Sequence, residues 1–330
     1  MDFFKSFKKN LFLINPNNFN HHAIDLFKYQ AEYNPVYKKY IHYLGIQPSK
    51  ISRITEIPFL PIEFFKTFQV KSGEWREEKT FRSSGTTGQK VSEHLVEDLQ
   101  FYLDTSCTVF EEFFGPFSQY VIFGLLPSYL ERGDSSLVYM VDHFIKKTGH
   151  PSSGFYLYEP EKLIHKMKQV NDGRTILLFG VTFALLDLAD QFPLNLPNLI
   201  VMDTGGMKGR KKELVREEVH EILKKGLNCQ VIHSEYGMTE LLSQAYSFGN
   251  GKYKTPPWMK VLIRDINDPF HMDPHLKQGG INIIDLANIH SCAFIETKDL
   301  GRVNETEGYF EVLGRFDNAD TRGCNLMISN

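Results

Sequence analysis

Hydrophobic and polar positions form a clear alternation along the middle of this chain. From about residue 91, short apolar runs alternate with segments of helical periodicity, which predicts an α/β sheet whose strands are joined by helical crossovers. The predicted strands of this stretch are residues 120–125, 175–179, 199–202 and 230–232. Residues 209–225 predict an amphipathic helix that ends at Gly226 as its C-cap. Its apolar face consists of Leu214, Val215, Val219, Ile222 and Leu223.

The two ends of the chain depart from this alternation. The first 75 residues are rich in aromatic side chains and predict helices interrupted by prolines, whereas the chain beyond Trp258 is predicted to be mostly β. The predicted strands there are residues 259–263, 280–284, 293–296 and 309–313. We therefore predict a helical N-terminal flank over 1–75, an α/β body over 76–317 with a β-rich part after about 258, and a short C-terminal tail over 318–330.

Composition narrows the possible classes of function. The chain has 330 residues, 42% hydrophobic and 23% charged, which is the balance of a soluble globular protein with a sizeable core. Its formal net charge of −3 argues against nucleic-acid binding. The N-terminus lacks a signal-peptide pattern and no apolar run is long enough to span a membrane, which predicts a cytoplasmic protein. Four widely spaced cysteines predict free thiols rather than a zinc site or a disulfide framework.

The most informative chemical feature is the loop at residues 81–90. It contains four hydroxyl side chains, two glycines and a lysine, which together can bind phosphate through hydroxyls, backbone N–H groups and a mobile cation. The spacing differs from that of a Walker loop, because only two residues separate Gly85 from Gly88 and Gln89 precedes Lys90. A hydroxyl-rich surface turn is the alternative interpretation.

Two further clusters follow predicted strands, where open α/β sheets bind their ligands. Residues 202–206 end in two glycines that would bring bare backbone close to a flat ligand, although a plain tight turn has the same composition. Residues 233–240 combine an aromatic ring, hydroxyls and carboxylates, which suit stacking on a base, contacting a phosphate and binding a hard cation. A helix start capped by Ser234 or Thr239 is the alternative there.

Four motifs occur in a fixed order along the chain, at residues 83–90, 235–240, 297–302 and 314–317. Together they resemble the adenylate-forming superfamily of acyl-CoA synthetases and related ligases. Within it the chain is most similar to the acyl-protein synthetases of bioluminescence systems (LuxE-type), and less so to phenylacetate-CoA ligases. The resemblance extends over nearly the whole chain and implies the large N-terminal α/β domain of that superfamily, with mixed sheets flanked by helices.

The resemblance also implies a site for ATP and Mg²⁺. The loop with Lys90 would hold the β- and γ-phosphates, Thr239 would contact the α-phosphate and Glu240 would hold Mg²⁺. Lys298 departs from the pattern, because the superfamily usually has glycine before the aspartate that corresponds to Asp299. The implied nucleotide-binding residues are Ser83, Ser84, Gly85, Thr86, Thr87, Gly88, Lys90, Gly205, Gly206, Glu235, Tyr236, Gly237, Thr239, Asp299 and Arg315.

Within that site the resemblance assigns further roles. Tyr236 would stack on the adenine, and Gly205 and Gly206 would pass beside it. Asp299 would accept hydrogen bonds from the ribose hydroxyls, and Arg315 would lie near the ribose and the phosphates. Lys90, Thr239, Glu240 and Cys324 are the implied catalytic residues.

A second departure concerns the end of the sequence. Only residues 318–330 follow Asp317, so the small C-terminal domain of the superfamily is predicted to be absent. The bioluminescence synthetases resemble this arrangement and accept the acyl group on a cysteine near their C-terminus, a place that Cys324 occupies here. The adjacent Arg322 would favour its thiolate, although an incidental surface thiol is the alternative. The other three cysteines are predicted to be buried within helix or strand patterns.

The predicted function is ATP-dependent activation of a fatty or other apolar carboxylic acid to an acyl-adenylate, then transfer to Cys324 and on to a partner protein. The partner would be an acyl reductase or an acyl carrier. One alternative is an acyl-CoA ligase or acyltransferase-like enzyme that uses a diffusible thiol or amine. Another is a nucleotide- or acyl-binding subunit without turnover. Residues 183–189 are predicted to line the acyl pocket, although any buried helix has the same pattern.

Overall fold

A computed structural model of the protein describes residues 3–84, 90–127, 131–205, 214–272 and 276–316. The α-helices among them are α1 (Phe3–Asn10), α2 (Phe19–Tyr33), α3 (Pro35–Tyr43), α4 (Phe64–Thr67), α5 (Leu99–Phe114), α6 (Ser136–Thr148), α7 (Pro160–Gln169), α8 (Thr182–Gln191) and α9 (Arg216–Leu227). Short 3₁₀ turns lie at Leu11–Leu13, Pro48–Lys50, Ile54–Glu56 and Phe117–Gln119.

The strands alternate with these helices in the middle of the chain and follow one another near its end. They are β1 (Leu60–Pro61), β2 (Lys79–Arg82), β3 (Glu93–Val96), β4 (Tyr120–Leu125), β5 (Gly154–Phe155), β6 (Thr175–Val181), β7 (Leu199–Thr204), β8 (Ile232–Tyr236), β9 (Ala245–Ser247), β10 (Tyr253–Lys254), β11 (Met259–Arg264), β12 (Gly279–Asp285), β13 (Phe294–Asn304) and β14 (Tyr309–Arg315).

The described residues fall into two compact units. The first unit is drawn from Met1–Leu99, Thr239–Ser243 and Lys254–Asn330. The second unit is drawn from Gln100–Met238 and Gln244–Tyr253. Among the described residues, no helix combines the length and the apolar character needed to cross a membrane.

The second unit contains a parallel sheet in the strand order β5-β4-β6-β7-β8, with β9 added antiparallel to β8. Every residue of β4 is buried, as expected for a parallel strand covered on both faces. Because the strands are parallel and in register, β6, β7 and β8 end at one edge of the sheet, where Val181 pairs with Thr204 and Thr204 pairs with Glu235. That edge is where ligands bind in open α/β sheets.

The first unit contains an antiparallel sheet in the order β11-β12-β13-β14. The short strand β1 pairs in parallel with β13 through Leu60 and Ile295. A separate hairpin consists of β2 and β3, which pair antiparallel. The helices α1 to α4 belong to the same unit.

The α/β class predicted from the sequence is confirmed, and the eight predicted strands are all present. The strand predicted at 230–232 is displaced, because β8 starts at Ile232 and continues to Tyr236. The predicted C-cap at Gly226 is wrong, since α9 runs through Leu227 and Asn228 takes the left-handed conformation at φ 47°. Gly226 instead lies against α8, where an added Cβ would come within 2.7 Å of Ala189. The division of the chain at residues 75 and 317 stays a prediction.

Candidate active site

The hydroxyl-rich loop connects the two strands of the β2–β3 hairpin. Its two ends are held together, because the Ser83 N–H donates to the Ser92 carbonyl at 3.1 Å and the Ser92 N–H donates to the Ser83 hydroxyl at 2.9 Å. Ser84 and the exposed Lys90 lie inside this closure. The predicted phosphate ligands Gly85, Thr86, Thr87 and Gly88 lie outside the described residues. Their roles stay predictions.

Thr239 and Glu240 lie beside the second strand of this hairpin, within the first unit. The His94 Nδ1 atom lies 2.8 Å from the Thr239 carbonyl oxygen, and the Ser92 hydroxyl donates a hydrogen bond to the Glu240 carboxylate. Because a carbonyl oxygen only accepts, the proton of neutral His94 is on Nδ1. Burial lowers the pKa of His94 to about 4, so the ring is neutral near pH 7. The helix start considered as an alternative for this segment is wrong, because no helix begins there.

Glu240 is a buried carboxylate with cationic neighbours. Burial raises its pKa, while the Ser92 hydrogen bond and the charges of Lys66 and Arg315 act in the opposite direction. A buried oxygen ligand whose negative charge is poorly solvated suits a hard cation, because a dication compensates for the lost hydration. No group of three or more His, Cys, Asp or Glu side chains that could hold a metal occurs among the described residues. Mg²⁺ is commonly held by one or two carboxylates together with substrate phosphates, and Glu240 fits that requirement.

Asp299 and Arg315 face each other across β13 and β14. They are directly paired in the strand register, and Arg315 Nε lies 3.6 Å from Asp299 Oδ1. Lys298, the residue that departs from the superfamily pattern, is paired with Glu63 at 2.6 Å. The Asp299 N–H donates to the Thr297 hydroxyl at 3.1 Å, and this hydrogen bond holds the main chain on either side of Lys298.

In the second unit, the carboxyl ends of β7 and β8 carry two acidic residues and the hydroxyl of Thr204, and the first residue of α8 adds the hydroxyl of Thr182. The Thr204 hydroxyl donates to the Glu235 carboxylate, and the Thr182 hydroxyl donates to Asp203 Oδ1 at 2.7 Å. Burial raises the pKa of Glu235 to about 7, with the negative charge of Asp203 adding to the rise and the Thr204 hydrogen bond opposing it. Glu235 is therefore substantially protonated near neutral pH.

The backbone around Tyr236 has little room for extra atoms. An added Cβ at Gly237 would lie 2.3 Å from the Glu235 Oε1 atom, so any larger residue there would require the Glu235 carboxylate to move. Tyr236 is 9% exposed and its ring packs 5.8 Å from that of Tyr253. Gly205 has a φ of 76° after β7 and open space around it, which fits a backbone approached by a ligand. Gly206 lies outside the described residues.

A cavity of about 300 Å³ opens in the second unit between α8 and the end of β4. Phe183, Ala184 and Leu188 of α8 line it, together with Leu125 and the exposed Tyr158. The predicted acyl-pocket segment 183–189 thus contributes four lining residues, since Asp187 is also among them, while its remaining apolar side chains are buried. Its role in acyl binding stays a prediction.

The three described cysteines are unsuited to act as nucleophiles. Burial raises the pKa of Cys107 to about 11 and that of Cys292 to about 12, so both remain thiols. The prediction that they are buried is confirmed for these two, whereas Cys229 follows α9 in a loop and is half-buried. Cys292 precedes β13 rather than lying within a strand. Cys324 lies outside the described residues.

Sequence reasoning did not identify Lys66, Ser92 or His94 as part of the site. Lys66 was visible only as one charge on a short helix, and its proximity to Glu240 depends on tertiary packing. Ser92 and His94 follow the hydroxyl-rich loop closely, so recognising residues 79–96 as a hairpin would have placed His94 on its second strand and Ser92 just before that strand. The polar side chain of His94, buried among apolar neighbours of β3, was the available signal.

The fold is similar to that of solved ligase structures, at low sequence identity. A structure of 2-hydroxyisobutyryl-CoA ligase in complex with 2-HIB-AMP and CoA is 12% identical, with a TM-score of 0.66 over 93% of this chain and 70% of that chain. ATP-bound MatB from Rhodopseudomonas palustris is 16% identical, with a TM-score of 0.54 over 72% of this chain. The alignment with MatB covers only 47% of the MatB chain.

The family follows from the sequence itself. The chain belongs to the family described as acyl-protein synthetase, LuxE, whose model matches residues 15–330. It is similar to the long-chain-fatty-acid–luciferin-component ligase of Vibrio harveyi, with 22% identity over 92% of this chain and 85% of the relative. The resemblance derived from the four ordered motifs is thereby confirmed.

Proposed function

We propose that this protein uses ATP to activate a long-chain fatty acid and transfers the acyl group through Cys324 to a partner protein. Membership of the acyl-protein synthetase family supports the reaction type, and the name of the Vibrio harveyi relative supports both a fatty acid and a protein acceptor. The acceptor is an acyl reductase or an acyl carrier. Four widely spaced cysteines without a disulfide pattern support a reducing, cytoplasmic location.

One observation in the structure carries the proposal. The Glu240 carboxylate is buried beside the hairpin that presents the hydroxyl-rich loop, with the charges of Lys66 and Arg315 near it. Adenylation joins two anions, because a carboxylate attacks the α-phosphorus of a polyphosphate. Such a reaction needs donors and cations that neutralise charge on the phosphates, and these residue types supply them.

In the first unit, we assign Ser83, Ser84 and Lys90 to the β- and γ-phosphates, together with the loop residues between them. Thr239 contacts the α-phosphate. Asp299 accepts hydrogen bonds from the ribose hydroxyls, and the exposed guanidinium of Arg315 beside it neutralises phosphate charge. Mg²⁺, held by Glu240 and the phosphates, supplies electrostatic stabilisation when bound.

In the second unit, we assign Tyr236 to stacking on the adenine, with Gly205, Gly206 and Gly237 providing backbone that a flat ring can approach. Glu235 supports this edge of the sheet through its bond with Thr204. Because the pKa of Glu235 is about 7, roughly half of these carboxyl groups are protonated near neutral pH, which lowers the negative charge at the end of β8.

The chemistry consists of two balanced displacements. In the first, a carboxylate oxygen of the acid forms a bond to the α-phosphorus, and the bond from that phosphorus to the bridging oxygen breaks to release pyrophosphate. No general base is needed, because the acid is already ionised. In the second, the Cys324 thiolate attacks the acyl carbonyl carbon, a thioester forms and AMP leaves.

Pyrophosphate exchange with a panel of carboxylic acids tests the first step. We expect exchange only with long-chain acids, and a mass increase equal to one acyl group that hydroxylamine removes. Lys90→Ala should depress exchange. If no acid supports exchange while ATP still binds, the protein is a binding subunit and the proposed activity is wrong.

The Cys324→Ser variant tests the second step. It should retain pyrophosphate exchange and lose the hydroxylamine-sensitive adduct, with Cys229→Ser as the matched control because Cys229 is the half-buried described cysteine. Adding coenzyme A to Cys324→Ser separates the two acceptor classes. Formation of a free acyl thioester there would show that a diffusible thiol, rather than Cys324, receives the acyl group.

A further inference from the structure

The segment Thr239–Ser243 is held by buried polar side chains of the first unit that no assigned role explains. Asn288 is fully buried, and its Nδ2 atom donates to the Glu240 carbonyl oxygen at 2.8 Å and to the Cys292 carbonyl oxygen at 3.2 Å. Both partners are carbonyl oxygens, which only accept hydrogen bonds. The NH₂ group of the Asn288 amide, and not its oxygen, therefore faces them. Asn288 therefore fixes the main chain of the residue whose side chain is the proposed metal ligand.

Asp285 holds the same segment two residues further on. Its Oδ2 atom accepts from the Leu242 N–H at 3.0 Å and from the Ser243 N–H at 2.9 Å, and its Oδ1 atom accepts from the Ser243 hydroxyl at 2.7 Å. Trp258 Nε1 donates to the same hydroxyl at 2.9 Å. Asp285 is fully buried, and a buried carboxylate is tolerated only when such donors satisfy it.

Asp285 is the last residue of β12, and Asn288 lies in the buried loop, residues 286–293, that connects β12 to β13. Loops normally run over the surface, because buried main-chain groups need partners. Here α2 provides them: Gln30 Nε2 donates to the Asn288 carbonyl at 2.9 Å, and Gln30 Oε1 accepts from the Ala293 N–H at 2.9 Å. Asn34 Nδ2 donates to the Ser291 carbonyl at 3.0 Å. Helix α2 and Asn34, which follows it, thus anchor the loop that holds the Glu240 main chain.

We propose that Asn288 and Asp285 are positioning residues that aim the Glu240 carboxylate at the divalent cation of a bound nucleotide. The inference rests on the proposed function. The contacts run from α2 through the buried loop to Thr239–Ser243, while His94 holds the Thr239 carbonyl from the opposite end. A carboxylate ligand whose main chain is held in this way loses less conformational freedom when the cation binds.

Calorimetric titration with α,β-methylene-ATP, with and without Mg²⁺, tests this role without requiring turnover. The ratio of the two affinities measures the contribution of the cation. Asn288→Ala should reduce that ratio at least tenfold, the typical effect of removing a group that orients a metal ligand. Asp285→Asn, which keeps the side-chain size, should reduce it in the same direction. Metal-free affinity should change less than twofold in both variants.

Tyr37→Phe is the matched control. Tyr37 is fully buried in the same unit and donates to the Pro58 carbonyl, so its loss also leaves one buried carbonyl unpaired. We expect its Mg²⁺-dependent ratio to equal that of the unmodified protein. Equal losses in Tyr37→Phe and Asn288→Ala, or unchanged ratios in both Asn288→Ala and Asp285→Asn, would overturn the positioning role while leaving the proposed function intact. No Mg²⁺-dependent gain in the unmodified protein would instead overturn Glu240 as the metal ligand, and the inference with it.

Discussion

Glu235 and Glu240 are buried carboxylates five positions apart in the chain, and their surroundings differ in sign. Glu240 has Lys66 and Arg315 as charged neighbours, which favour its ionised form. Glu235 has Asp203 as its charged neighbour, and its pKa rises to about 7. Burial pushes both pKa values upward, so the neighbouring charges distinguish the two groups.

One short motif thus contains two buried carboxylates in opposite electrostatic surroundings. Glu240 lies in a place where a cation relieves the cost of burying a negative charge, which suits a metal ligand. Glu235 relieves the same cost by taking up a proton, which suits a structural group at the end of β8. The sequence alone shows two equivalent acids on either side of Tyr236-Gly237.

Among the variants that test this comparison, replacement of Glu240 should have the largest effect on activity. Glu240→Gln keeps the size of the side chain and removes its charge, so pyrophosphate exchange should fall about 100-fold, as when one preorganised electrostatic group is removed. Thermal stability should be unchanged or raised, because a neutral amide is less costly to bury. Glu311→Gln, which removes an acid paired with Arg302 on the same unit, is the control and should retain exchange. Exchange within threefold of the unmodified rate would remove Glu240 from the reaction.

The pH dependence of stability tests the other carboxylate. The pKa of Glu235 is about 7 in the folded protein against 4.5 for the free group, so its contribution is fully present below about pH 4.5 and is lost as pH rises through 7. At about 1.4 kcal/mol for each pKa unit, the loss is roughly 3 kcal/mol. Urea unfolding of Glu235→Gln between pH 5 and 8 should therefore show a flatter profile than the unmodified protein.

His94 provides the internal check on that measurement. Its pKa falls from 6.5 to about 4 on folding, so stability is lost as pH falls through this range, opposite in direction to the effect of Glu235. Both proteins retain His94, and the difference between their profiles isolates the carboxylate. Parallel profiles above pH 5 would show that Glu235 is ionised in the fold.

Gly237→Ala tests whether the Glu235 carboxylate occupies the space that the structure assigns to it. An added methyl group would lie 2.3 Å from Glu235 Oε1, so we expect a loss of about 1–3 kcal/mol in the free energy of unfolding. In a Glu235→Ala background the same substitution should cost much less, because the obstructing group is gone. Denaturant unfolding of the four proteins in this cycle gives the coupling energy. Equal costs in both backgrounds would place the carboxylate elsewhere.

Much of the fold was predictable from the chain, because local patterns determine its strands and helices. The apolar run at Tyr120–Leu125 became β4 without change. Gly226 shows where local rules fail: its position suggested a C-cap, but close contact with Ala189 of α8 requires glycine inside the helix, and Asn228 serves as the cap instead. That choice depends on helix packing, which no local pattern records.

The candidate site was predictable only in part, for the same physical reason. Thr239 and Glu240 stood out because hydroxyl and carboxylate groups followed a strand. Asn288 and Gln30 did not, since each is a single amide within a segment of ordinary composition and they lie far apart in the chain. Their roles arise from main-chain groups that are buried only after folding.

Removing one cationic neighbour of Glu240 gives the smallest expected effect. Lys66 is an exposed side chain on α4, and exposed charges contribute only about 0–1 kcal/mol to a nearby ionised group. Lys66→Gln should raise the pKa of Glu240 slightly, moving the acidic limb of the pyrophosphate-exchange profile upward by a few tenths of a pH unit. Because salt screens exposed charges, the difference should shrink at about 1 M salt. A shift in the other direction would show that Lys66 does not act on Glu240 through its charge, and Arg315 would then be the remaining cationic neighbour in the contrast with Glu235.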